Sequence, residues 1–208
     1  MTWLIACEYS GRVRDAFLAR GIDAVSCDLL PTEVDGPHIV GDVTELLQKR
    51  WAGVIAHPPC TYLSKAGARW MHPTKGMVCP DRIKLAIQAR DFFTEILRSN
   101  APRIAIENPT PLRVVMLPEH TQVIQPYEFG DAYSKRTLLW LRGLPQLVPT
   151  NVVSNYTPYL PSNTGGAKRG QINSGGSAAT AADRSRTFQG IADAMASQWG
   201  PLAERIAA

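Results

Sequence analysis

Two short stretches of the chain set a reactive side chain beside conformationally fixed ones. In Ala56-His57-Pro58-Pro59-Cys60 a thiol follows two prolines, which remove backbone donors and hold an extended or turn conformation. Cys60 is thereby presented at a rigid corner, as a nucleophile would be. In Glu107-Asn108-Pro109 a carboxylate able to hydrogen-bond a substrate precedes an asparagine suited to satisfying local backbone groups. Each has an ordinary reading when taken singly. A cysteine in a domain of this size is commonly a small buried hydrophobe, and Glu107 would serve equally as a capping carboxylate.

The elements that must position these residues give them their context. Thr2–Ala6 is a short apolar run, followed by polar Glu8-Tyr9-Ser10-Gly11 and then by Val13, Ala16, Phe17 and Ala19 at helical spacing up to Gly21. Strand, turn and helix are expected in that order. Asp23–Cys27 reads as a second strand ending at Asp28. His38–Val40 reads as a third, ending at Gly41-Asp42 before a short helix from Thr44, and Gly53–Ala56 is a fourth that stops at His57. Residues 61–79 read as a loop, Asp81–Leu97 as a helix broken by Pro102, and Arg103–Ile106 as the strand that delivers Glu107. Thr121–Ile124 and Thr137–Leu141 are later strands, Phe188–Trp199 a closing helix, and Gly200-Pro201 punctuates the chain before a short final one. Such alternation predicts an α/β fold, a mostly parallel sheet with helices on both faces, whose ligands sit beyond the carboxyl ends of the strands. Glu8, Asp28, Asp42, Cys60 and Glu107 would gather there, with Asp28 and Asp42 placed to read the ribose and adenine of a nucleoside.

Composition bounds the rest. At 208 residues and 45% hydrophobic, with 16 glycines and 16 prolines, the chain describes one globular domain large enough to fold without a disulfide or metal staple. Lys plus Arg number 22 against 18 acidic residues, a net +4 that permits a nucleic-acid partner without requiring one. The start of the chain lacks a basic region and a long apolar one, and no run approaches membrane-spanning length, so a cytoplasmic protein is expected. Cys7, Cys27, Cys60 and Cys79 form no C-x-x-C pair and read as thiols. His57, His72, Cys60 and Cys79 lack the spacing of a zinc site, which leaves His57 as a loop hydrogen-bonder. Trp70, Tyr62 and Trp140 are available for stacking but fit core or rim positions better. Between 145 and 186 the texture turns to Asn, Ser, Thr, Gly and Pro with Lys168, Arg169, Arg184 and Arg186 interspersed, a segment expected to stay mobile until something binds and able to clamp a nucleic acid.

In this order the residues resemble the cytosine carbon-5 DNA methyltransferase family, particularly its short phage-type members, over most of the chain. Ile5 to Gly11 lies where the family has its S-adenosylmethionine loop, Cys27-Asp28 where it has a ribose-binding acid, and Gly41-Asp42 where an acid meets adenine. Pro59-Cys60 matches the catalytic Pro-Cys, Glu107-Asn108-Pro109 is similar to Glu-Asn-Val, and Phe129 to Arg136 occupies the Gln-x-Arg-x-Arg region. Phe188-Gln189-Gly190-Ile191-Ala192 resembles the closing motif whose helix returns to the cofactor. The resemblance implies a Rossmann-like class I methyltransferase fold in a single domain, with S-adenosyl-L-methionine as cofactor and DNA as partner, either single-stranded or a duplex with its base flipped out. It implies catalytic roles for Cys60, Glu107, Asn108, Lys135 and Arg136, and cofactor contacts from Cys7, Glu8, Tyr9, Ser10, Gly11, Asp28, Asp42, Pro59 and Ile191. Glu8 and Ser10 stand where the family favours glycine, which puts Glu8 in reach of the methionine ammonium. Residues 145–186 are too few for the family's target-recognition domain. The same chemistry on RNA or a free pyrimidine nucleotide, transfer of a larger one-carbon group, and a noncatalytic nucleic-acid-binding relative are the alternatives.

Overall fold

A computed structural model of the protein describes residues 1–65, 71, 77–159 and 185–202. Four short apolar runs form the centre of the sheet: β1 (Trp3–Ala6), β2 (Ala24–Asp28), β4 (Gly53–Ala56) and β5 (Ile104–Asn108), with β3 (His38–Val40) at one edge. All five are parallel, β1 lying between β2 and β4. Beyond β5, strand β8 (Thr137–Arg142) runs antiparallel and β6 (Gln122–Ile124) pairs antiparallel with β8, giving a seven-stranded sheet of order β3-β2-β1-β4-β5-β8-β6. The chain winds outward from β1 through β3 and then crosses back to β4, so the order reverses between β1 and β4. In open α/β sheets that reversal opens a crevice at the carboxyl ends.

Side chains alternate across the sheet and each face is covered. Trp3, Ile5, Ile55, Ala105 and Leu139 pack beneath helices α1 (Arg12–Leu18) and α3 (Gln189–Trp199), where Phe17, Ile191, Met195 and Trp199 complete one core. Leu4, Ala6, Val54, Ala56, Ile104 and Ile106 face the other way, against Ala86, Phe93 and Ile96 of α2 (Pro80–Arg98) and against Leu46 and Leu47. Strands buried on both sides read as continuous apolar runs, which is why the sequence shows runs here and not strict alternation. The short helix expected from Thr44 is a 3-10 turn at Val43–Leu46, started by Asp42, whose Oδ1 accepts the Thr44 N–H at 2.9 Å.

A second, two-stranded sheet lies apart from the first: β7 (Tyr133–Ser134) pairs in parallel with β9 (Thr157–Pro158). It corrects part of the expectation for 145–186. Between 145 and 159 the chain is tied down by a buried Leu147, by the Leu147 N–H on Gln122 Oε1 at 2.8 Å, by the Val148 N–H on Gln198 Oε1 at 2.8 Å, and by β9 itself. A single large apolar side chain and a few backbone bonds suffice to order a polar stretch. Residues 160–184, with Lys168, Arg169 and Arg184, lie outside the described residues, as do Trp70 and His72.

Candidate active site

The carboxyl edge of the sheet carries two groups of functional side chains. The first follows β1, β2 and β3. Leaving β1, Cys7 takes a left-handed φ of 56°, and the turn ends at Gly11, where φ is 78°. A Cβ on Gly11 would come within 2.5 Å of Val34 Cγ2 and 2.6 Å of Arg14 Nη2, so glycine serves both backbone and packing here. Gly11 has no side chain to cap α1; Glu8 does so instead. Its Oε1 accepts the Val13 N–H at 3.1 Å and the Ser10 hydroxyl at 2.8 Å. A carboxylate at a helix N-terminus also meets the positive end of the dipole. Glu8 Oε2 is buried with no hydrogen-bond partner among the described residues. Asp28 follows β2, its Oδ1 accepting the Leu30 N–H at 2.9 Å, and Leu29 and Leu30 beside it are 73% and 54% exposed. Burial first, then the Asp28 and Asp42 charges, drive the Cys7 thiol strongly upward and push Cys27 up to about 11. Both cysteines are therefore neutral thiols facing an acidic edge.

The second group follows β4 and β5. The two loops are stitched together: Leu112 N–H donates to Leu63 C=O at 2.7 Å, Lys65 N–H to Thr110 C=O at 3.1 Å, and Ser64 bridges to Pro111. This fixes Cys60 relative to Glu107. His57, at the very end of β4, donates its backbone N–H to Ala6 C=O at 3.0 Å and places Nδ1 3.0 Å from Glu107 Oε2. Burial alone would raise the Glu107 carboxyl, but the hydrogen bond with His57 and the Lys135 ammonium outweigh it and hold it below the ordinary carboxylate range. Cys60 goes the other way, raised by burial and then by the Glu107 charge, with Lys135 opposing both. Cys60, Glu107 and Lys135 thus feel one another's charge. Asn108 is buried and donates Nδ2–H to Pro109 C=O at 2.9 Å, fixing the turn.

Lys135 arrives on the loop between β7 and β8, its Nζ 5.8 Å from the Tyr159 ring centroid and 5.6 Å from that of Phe188. Tyr133, Tyr159 and Phe188 pack on one another at 5.1 to 5.8 Å. Arg136 is exposed, Pro59 is exposed beside Cys60, and Tyr9 is half-buried. Ile191 is 2% exposed and sits in the core below the edge, away from any ligand surface. Trp140 is likewise core, edge-on to Phe93 at 5.1 Å, and Tyr62 is covered by the Arg82 guanidinium at 4.5 Å.

The chain returns across this edge just before α3. Tyr9 and Ser185 hydroxyls lie 3.0 Å apart, Arg186 pairs with Glu33 at 2.6 Å, Arg12 Nη1 donates to Thr187 C=O at 2.9 Å, and Thr187 Oγ1 lies 3.4 Å from His57 Nδ1. Segment 185–187 therefore joins the turns after β1, β2 and β4. The contribution of Thr187 carries no signal in the sequence. His57, expected as a loop hydrogen-bonder, is one, with Glu107 as its partner. The signal for His57 was its place, a polar residue directly ending a strand at the ligand edge, the same signal that picks out Cys60.

A mostly parallel seven-stranded sheet in this order, with a single antiparallel strand and helices on both faces, is a Rossmann-like fold. No family model and no curated protein matches the chain. Among solved structures it is similar to a provisionally assigned DNA modification methyltransferase encoded within an E. coli prophage, at 11% identity and TM-score 0.44, over 74% of this chain and 52% of that one. It is also similar to a mutant of Spodoptera frugiperda DNMT2, at 13% identity and TM-score 0.38, over 79% of this chain and 56% of that one. The chain spans little more than half the length of the structures it matches. At these scores the function rests on the residues themselves.

Proposed function

We propose that the protein is an S-adenosylmethionine-dependent methyltransferase acting on carbon 5 of cytosine in DNA. The observation that carries this reading is the electrostatic grouping of Cys60, Glu107 and Lys135 at the ends of two adjacent strands, on loops bonded to each other. Carbon 5 of cytosine is not nucleophilic until something adds at carbon 6. Cys60 supplies the sulfur for that bond. Glu107 holds the ring at nitrogen 3 and stabilises its protonated form, turning the base into an enamine. Lys135 lowers the cost of forming a thiolate beside a carboxylate, Asn108 fixes the turn that carries Glu107, and Arg136 at the surface meets phosphate. Once carbon 5 carries the methyl, loss of its proton to solvent water expels Cys60 as the thiolate.

The first group of residues fits the cofactor. Its requirements are an anion for an ammonium, an acid for a ribose diol and an apolar wall for adenine. Glu8 offers a buried oxygen without a partner among the described residues, Asp28 and Asp42 each use Oδ1 to start a turn, and Leu29 and Leu30 expose apolar surface next to Asp28. When bound, S-adenosylmethionine supplies a sulfonium methyl as the electrophile. Cys7, Tyr9, Ser10 and Gly11 shape the turn around it, and Pro59 separates it from the thiol.

Replacing Cys60 by alanine is expected to abolish both turnover and the covalent trap on DNA containing 5-fluorocytosine, with 5-methylcytosine in the wild-type product identified by nucleoside mass spectrometry. Activity unchanged in Cys60→Ala eliminates the mechanism. Parallel assays on duplex DNA, single-stranded DNA, transfer RNA and dCMP assign the substrate.

A further inference from the structure

We propose that His57 is the positioning residue of this site: its imidazole clamps Oε2 of Glu107, leaves Oε1 to meet the substrate ring, and holds the carboxylate charge that remains when the ring takes its proton. The proposal rests on the reading above for the identity of the ring, and on the geometry for the rest. His57 Nδ1 is 3.0 Å from Glu107 Oε2, and the two side chains are 9% and 15% exposed. Water has little access, so a proton reaching Glu107 must come through a protein group or from the ligand.

Three features keep the imidazole in place. The His57 backbone is bonded to Ala6, Pro58 and Pro59 follow it directly, and Thr187 Oγ1 flanks Nδ1 at 3.4 Å. Thr187 is itself held, because Arg12 donates to its carbonyl. With the backbone anchored and Nδ1 held between Glu107 and Thr187, the ring presents one nitrogen to one carboxylate oxygen, and the position of Glu107 Oε1 follows. His57 Nε2 is buried without a partner among the described residues. A buried ring nitrogen with no acceptor or donor is costly for a purely structural histidine.

The charged and titratable groups facing this pair are Lys135 and Cys60, with Arg12 behind Thr187. As Cys60 bonds carbon 6, the displaced ring electrons reach nitrogen 3, which takes the proton that Glu107 carries on Oε1 in the substrate complex; the carboxylate left behind keeps Oε2 against the Nδ1–H of His57. Elimination of the thiol returns the nitrogen 3 proton to Oε1.

His57→Ala removes the clamp, whereas His57→Gln keeps a side-chain donor in its place. On DNA substrate the alanine variant is expected to lower kcat by about 10- to 100-fold with KM within about threefold, and the glutamine variant to recover to within about fivefold of wild type. Thr187→Val is expected to lower kcat weakly, by about two- to fivefold. A His57→Ala enzyme with kcat within twofold of wild type overturns the proposal. An activity-independent measurement separates it from the methyltransferase reading: the imidazole ¹⁵N and Nδ1-proton resonances of His57 in otherwise native protein, compared with Glu107→Gln. A shift confined to Nδ1 on removing the carboxylate charge upholds the clamp even if no methylation is found, and identical resonances overturn it.

Discussion

Arg14 is fully buried, and five hydrogen bonds replace its hydration: to Asp15 Oδ1, Ser26 Oγ, Thr32 Oγ1 and the carbonyls of Val34 and Asp35. A charge taken out of water survives only when its donors are all met. The guanidinium thereby moulds residues 32–35 around itself and brings Glu33 to where Arg186 pairs with it. Arg14→Met keeps most of the stem volume but strands those acceptors. It is expected to cost on the order of 2–4 kcal/mol in denaturant unfolding, with faster amide exchange over 30–36 than elsewhere. Ordinary periodicity counts an arginine in a short helix as surface. Nothing in one sequence marks it as the post around which a polar loop is wound, because its partners are backbone carbonyls and hydroxyls spread over twenty-one positions.

Elements obeyed their local patterns where the pattern was long. Among the described residues, the seven strands of the main sheet and the three α-helices lie where apolar runs and helical spacing put them, within a residue or two at their ends. Strands β7 and β9 contain two residues each, too few to carry a period, and their partner is far away in sequence. The same holds for the site. Cys60, Glu107, Asp28 and Asp42 were legible because each follows a readable strand, whereas Thr187 precedes a helix and reaches the site only through tertiary folding. Gly190 tests this kind of long-range constraint. A Cβ there would collide with the Phe129 carbonyl oxygen, while its N–H donates to Asp131 Oδ2 at 3.0 Å. Glycine to alanine within a helix ordinarily gains about 1 kcal/mol. Here overpacking of about 1–3 kcal/mol wins, so Gly190→Ala is expected to lower Tm.

For the molecule as a whole, alkaline pH is the condition to which the acidic edge is most sensitive. Cys27 is raised from 9.0 to about 11 by burial and by the Asp28, Asp42 and Glu45 charges, and Cys7 is raised by the same first causes. A thiol whose folded pKa exceeds its unfolded one stabilises the native state fully below the unfolded value and ceases to do so as pH rises through the folded value. Stability is therefore expected to decline between about pH 9 and 11, by on the order of 2 kcal/mol for Cys27. Cys27→Ala should flatten that decline in thermal melts across the range, and an equal slope in the variant counts against the assignment.

Helix α1 and β1 find their covering in α3, whose Ile191, Met195 and Trp199 are made long after them. A ribosome synthesising this chain thus exposes the greasy side of β1 until α3 emerges to cover it. Segment 185–187, emerging just ahead of that helix, reaches the turns after β1, β2 and β4 at the same late moment. The bracing of His57 by Thr187 is therefore acquired only as α3 is made, so a nascent chain that stops short of it holds the Cys60 thiol and the Glu107 carboxylate without that support.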